Sequence, residues 1–109
     1  MSIADVHANQ VFGPFVSINT FKTEEEVLAK ANATEYGLYA SVYTQDISRA
    51  LRVAKAFDSG TVGINCTSPT FAQDMPFGGY KGSGQGREGI GYSLDEYLEE
   101  KAVLIKLAS

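Results

Sequence analysis

The fold turns on residues 38–66, LYASVYTQDISRALRVAKAFDSGTVGINC. Leu38 to Thr44 is rich in residues that suit a pleated, half-buried surface, and this predicts a strand. Asp46 or Ser48 then offers the side-chain oxygen that caps a helix. Behind it Ile47, Ala50, Leu51, Ala54 and Phe57 recur at helical spacing, and Gly60 stands where a helix can be closed. Thr61 to Cys66 is a short apolar run, the mark of a strand covered on both faces. A strand, a helix and a strand with short connections yield parallel neighbours and a right-handed crossover.

Outward from this unit, Phe15 to Phe21 alternates Phe15, Ser17 and Asn19 against Val16 and Ile18, which predicts another strand. Thr23 with Glu26 reads as a capping box, and Glu24, Glu25 and Glu26 place acids where the helix dipole favours them. Val27, Leu28 and Ala31 share one side of that helix, which ends before Gly37. Thr67 to Gly91 holds most of the eleven glycines and reads as a long irregular stretch. Loops of that length are usually functional. Ser93 with Glu96 predicts a second capping box on a short helix through Glu100. Ala102 to Leu107 predicts a final strand with Val103, Ile105 and Leu107 on one face. The expectation is an α/β fold with a small parallel-sheet core, one domain over residues 1–109.

The 109 residues leave no room for a cofactor domain beside a substrate domain. A hydrophobic content of 44% with 20% charged residues is that of a globular chain. The net charge of −4 comes with intermixed acids and bases and gives no electrostatic reason to expect nucleic acid. One cysteine excludes an internal disulfide framework and fits a reducing compartment. Residues 1–10 show neither a basic start nor an apolar run, and no apolar stretch is long enough to cross a bilayer. A cytoplasmic protein that meets no membrane is expected. Asn32-Ala33-Thr34 and Asn65-Cys66-Thr67 match the glycosylation sequon by spelling alone.

Gly84-Gln85-Gly86-Arg87-Glu88-Gly89 matches G-x-G-x-x-G. A dinucleotide turn of that form must follow a strand and open a helix that receives the pyrophosphate. Here no strand immediately precedes it and no βαβ unit follows, so a turn that lets backbones pack closely is the preferred reading.

Pro76-Phe77-Gly78-Gly79-Tyr80-Lys81-Gly82-Ser83-Gly84-Gln85-Gly86-Arg87-Glu88 is similar to the P-F-G-G-x-K-x-S-G-x-G-R-E segment of aldehyde dehydrogenases. Other segments agree in order. Phe12-Gly13-Pro14 resembles that family's E-x-F-G-P, Glu35 to Leu38 its E-Y-G-L, Gly60 to Asn65 its G-T-V-x-I-N, and Tyr97 to Lys101 its Y-x-E-x-K. The resemblance runs from Val11 to Leu107 and points to the C-terminal part of a catalytic domain, truncated and lacking the nucleotide-binding domain.

In that family a cysteine thiolate attacks the aldehyde, hydride passes to NAD(P), and a glutamate activates water. The resemblance places both residues upstream of E-x-F-G-P, and Cys66 lies where the nucleophile is not found. A lone buried cysteine is usually packing. The acid of E-x-F-G-P, which contacts the cofactor ribose, is Gln10 here. Gln10 and Phe12 are therefore vestigial cofactor-binding positions, and no cofactor is expected to be held by this chain alone. By resemblance the loop between Cys66 and Phe77 borders the aldehyde-entry channel. Phe71, Met75 and Phe77 are candidate apolar walls and Gln73 a polar contact. Asp74 is a candidate general base, or else an ordinary solvated acid. His7 titrates near neutrality and is a candidate catalytic group, or else lies on a frayed end. Lys81 and Arg87 match positions of structural duty and could also hold an anion.

Three functions follow. The first is a pseudoenzyme without redox activity, a homodimer or higher oligomer that binds a small organic ligand or acts as a cofactor-independent isomerase or cyclase. The second is a complementing subunit of a split aldehyde dehydrogenase. The third is a non-catalytic structural fragment. A short sheet presents unpaired edges and apolar faces, and the last strand is available for oligomerisation.

Overall fold

A computed structural model describes residues 11–67 and 74–107. The first helix, α1 (Glu24–Asn32), begins as expected: the Thr23 hydroxyl accepts from the Glu26 N–H at 3.2 Å. The Glu26 carboxylate reaches back to the Lys22 N–H at 2.8 Å, one residue earlier than in an ordinary capping box. No residue of α1 is buried.

The strand β1 (Tyr36–Gly37) precedes β2 (Tyr39–Val42), and α2 (Ile47–Ala56) leads into β3 (Thr61–Ile64). Asp46 rather than Ser48 caps α2, accepting from the Arg49 N–H at 3.1 Å. The strands β2 and β3 are parallel, with Tyr39 opposite Thr61 and Val42 opposite Ile64. This is the crossover unit expected from residues 38–66. The helix packs on both strands and buries Ala50 and Val53, whereas Ile47 and Leu51 are 65% and 50% exposed. The buried stripe is thus narrower than the expected one. Nor is β3 covered on both faces: only Gly63 is buried there.

A second sheet forms where β4 (Tyr80–Lys81) pairs antiparallel with β1. Its β4 strand lies inside the stretch expected to be irregular, and β1 just before the strand expected at Leu38. Two residues per strand give the sequence no periodicity to reveal it. The helix expected after Ser93 is a single 3-10 turn at Asp95–Tyr97 without a side-chain cap. The Ser93 hydroxyl accepts from the Gly89 N–H, and Glu96 accepts from the Arg87 N–H, so both capping groups are used elsewhere.

The strands expected at Phe15–Phe21 and Ala102–Leu107 do not form, because no ladder partner lies beside them among the described residues. Their large apolar side chains stand in solvent, from Phe15 at 56% to Leu104 at 99%. The radius of gyration is 19.8 Å, against about 13 Å for a compact chain of this length. The molecule is an α/β unit with long uncovered flanks.

Candidate functional site

The glycine-rich loop from Pro76 to Glu88 is a closed structure. Phe77 and Glu88 exchange both backbone hydrogen bonds, at 2.8 and 2.7 Å, and so clamp its ends together. Within it the Arg87 guanidinium donates to the carbonyls of Gly86 at 2.6 Å and Gly79 at 3.2 Å, and lies 5.5 Å from the centre of the Tyr80 ring. That arrangement combines charge-assisted hydrogen bonds with a cation–π contact. Gly86 has φ +80° and faces the Glu96 carboxylate so closely that a side chain would collide with it.

Three loop residues fasten it to the segment from the end of α1 into β1 and to the end of α2. The Ser83 hydroxyl accepts from the Gly37 N–H at 2.8 Å, and the Gly82 N–H donates to the Glu35 carbonyl at 2.8 Å. The Lys81 ammonium donates to the carbonyls of Asn32 and Thr34 at 2.9 and 3.3 Å and pairs with Asp58 at 3.0 Å. Behind the loop, Gly60 sits where any side chain would overlap the Gly78 carbonyl oxygen.

A cavity of about 500 Å³ opens on this loop, bounded by Leu38, Phe77, Arg87, Glu96 and Tyr97. Among the expected wall residues Phe77 borders it and is half-buried. Asp74 is exposed and Met75 is 49% exposed; neither lines that cavity. Phe71, Gln73, His7 and Gln10 lie outside the described residues. Lys81 and Arg87 spend their charges on different carbonyls, which leaves no shared anion site between them. Sequence reasoning missed Glu96 and Tyr97 as cavity residues. The Ser93–Glu96 spacing points to Glu96 as a capping acid for Ser93, whereas its carboxylate accepts from the Arg87 N–H.

The G-x-G-x-x-G match is a turn. Gly84, Gly86 and Gly89 all have left-handed φ, at +124°, +80° and +129°, and no α-helix follows them among the described residues. Cys66 is exposed rather than buried as packing. A side chain at Gly63 would meet both the Tyr39 hydroxyl and the Cys66 sulfur. Burial pushes the Tyr39 phenol above its usual range, and the neighbouring Cys66 adds to the shift. Both sequon asparagines have structural work. The Asn32 amide donates to the Ala56 carbonyl and accepts from the Asp58 N–H, while Asn65, at φ +56°, bonds both backbone groups of Thr44. No group of three or more metal-ligating side chains occurs among the described residues, and none of their helices is long and apolar enough to cross a membrane.

The model of the aldehyde dehydrogenase family matches residues 2–103. The chain belongs to that family. It is similar to human retinaldehyde dehydrogenase 3, 52% identical over 98 residues, which cover 90% of this chain and 19% of that protein. It is also similar to human retinal dehydrogenase 2, at 48% identity with the same coverage. Among solved structures, an aldehyde dehydrogenase of Bacillus cereus in complex with NAD+ superposes with a TM-score of 0.81 at 45% identity, covering 89% of this chain and 20% of that one. Betaine aldehyde dehydrogenase of Staphylococcus aureus gives 0.79 at 48% identity, covering 85% and 18%. This aldehyde dehydrogenase chain therefore spans about a fifth of the length of the curated relatives it matches. Phe12 is 92% exposed, and among the described residues no α-helix begins after the glycine turn.

Proposed function

We propose that the chain forms the C-terminal wall of an aldehyde dehydrogenase catalytic domain. It acts when the remainder of that enzyme, in the same polypeptide or a companion chain, covers its flanks. The observation that carries this reading is the contrast between a minimal core and its uncovered surroundings. Ala50 and Val53 are the buried hydrophobic side chains among the described residues, while Phe12, Phe15, Val16, Ile18, Leu104 and Ile105 stand in solvent. Apolar patches on this scale mark surfaces made to be covered. The retained loop contributes Phe77 to the aldehyde channel; the nucleophile and the nucleotide-binding fold come from elsewhere. The single exposed cysteine suits a cytoplasmic setting.

The test is a chimera in which this chain replaces the matching segment of human retinaldehyde dehydrogenase 3. Retinaldehyde-dependent formation of NADH is expected from the chimera and not from the chain alone. An assembled chimera without activity, or turnover by the chain alone, overturns the reading.

The cavity of about 500 Å³ favours a second reading, a small-molecule-binding homodimer without redox chemistry; a cofactor-independent isomerase or cyclase would instead draw on Asp74, exposed outside that cavity. A ligand of the native state raises the melting temperature. Should a screen of small apolar carbonyl compounds find one, Phe77→Ala abolishes the rise if the loop is the site. Asp74→Asn removes turnover if that carboxylate is the base.

A further inference from the structure

We propose that Lys81 is a positioning residue that sets the depth of Phe77 in the channel wall; the inference deepens the reading of the chain as an aldehyde dehydrogenase wall and rests on it. An ammonium group has three donors, and here three oxygens stand within reach of it: the carbonyls of Asn32 and Thr34 and the Asp58 carboxylate, at 2.9, 3.3 and 3.0 Å. Asn32 is the last residue of α1, where carbonyls lack partners within the helix and the dipole is negative. Asp58 follows α2, and its N–H is held by the Asn32 amide at 3.0 Å. One side chain thus ties the ends of both helices to the glycine-rich loop.

The backbone at Lys81 has φ +54°, a left-handed conformation uncommon for any residue with a β-carbon. Such a residue persists where its surroundings over-determine it. The surrounding contacts here are the three oxygens on Nζ, with the Gly82 N–H bonded to the Glu35 carbonyl beside them. From Lys81 the chain runs back through Tyr80 and Gly79 to Gly78, which lies so close to Gly60 that no side chain fits between them. There is little slack before Phe77. A displacement of Lys81 is therefore passed to the aromatic wall rather than absorbed by the loop.

Lys81→Met keeps the length of the side chain and removes the donors. Hydrogen exchange in the 109-residue chain reads the clasp without any activity. The Phe77 and Glu88 amides, which are bonded to each other's carbonyls, are expected to exchange roughly tenfold faster, with the Ala50 and Val53 amides unchanged. Lys81→Arg restores part of the protection. Unchanged loop exchange, or equal acceleration in α2 and the loop, overturns the proposal. If Lys81→Met does not fold, Asp58→Asn, which leaves both carbonyl contacts, is expected to give about threefold; no change there also overturns it. In the active chimera, Lys81→Met is expected to raise KM for retinaldehyde about tenfold with kcat within about twofold. A fall in kcat at constant KM overturns it. A chimera inactive before any substitution counts against the enzyme reading alone, and exchange then decides the role of Lys81.

Discussion

Two parts of this chain carry comparable strand patterns and meet different fates. Residues 38–44 and 61–66, like the flanks at 15–21 and 102–107, read as strands. In the first pair, β2 and β3 lie side by side under α2. In the flanks the apolar positions stay in solvent, with Val16 at 75% and Ile105 at 78% exposure. Alternation states what a segment will do if offered a partner. It does not supply the partner. Within 38–66 the crossover helix brings the second strand to the first, whereas each flank depends on chain that is not adjacent to it.

The sharpest way to break this contrast is at Gly60, where a β-carbon would overlap the Gly78 carbonyl oxygen. Gly60→Ala should destabilise the native state by about 3 kcal/mol in urea denaturation, while Gly13→Ala, with nothing within 4 Å, should change it by under about 0.5 kcal/mol. Next is Val53→Ala, which removes methyl groups from a side chain 5% exposed and should cost about 1–2 kcal/mol. Thr23→Ala deletes the hydroxyl that caps α1. It should cost about 1 kcal/mol, read as lost helicity by circular dichroism.

Acid should act more gently, and on the helix ends. Hydrogen bonding to Arg52 holds the Glu24 carboxyl below its usual range, Lys30 does the same for Glu26, and the Arg49 N–H for Asp46. Each therefore releases its proton more readily in the folded chain than in the unfolded one. The stability they lend is present above the ordinary values of 4.5 for Glu and 3.8 for Asp. It is lost as pH falls through the lowered folded values. The melting temperature should accordingly drop below about pH 4.5, less so for Glu24→Gln. The smallest effect belongs to the flank. Ile105→Lys should leave the stability of the isolated chain within about 0.5 kcal/mol yet abolish activity of the chimera, because only there is that face covered.

Much of the fold was legible because its signals are local. Thr23 and Asp46 cap helices with their own hydroxyl and carboxylate, and the parallel pair follows from the length of the crossover. The antiparallel pairing of Tyr36–Gly37 with Tyr80–Lys81 was not legible, since it rests on long-range contacts of Lys81 and Ser83 that no periodicity encodes. The same holds for the cavity. Phe77 was found through the resemblance of its segment. Glu96 and Tyr97 reach the cavity because the chain doubles back after left-handed turns at Gly86 and Gly89. Asp74, singled out as a lone acid, stands exposed beside that geometry rather than in it.

The exposure of the tyrosines has an optical consequence. The chain has six tyrosines and no tryptophan, and Tyr36, Tyr43 and Tyr97 are 53%, 63% and 87% exposed. Its intrinsic fluorescence is therefore pure tyrosine emission. A tryptophan on a covering surface would accept that excitation by energy transfer, so dimming at short wavelength and brightening at long wavelength would report coverage without any attached dye.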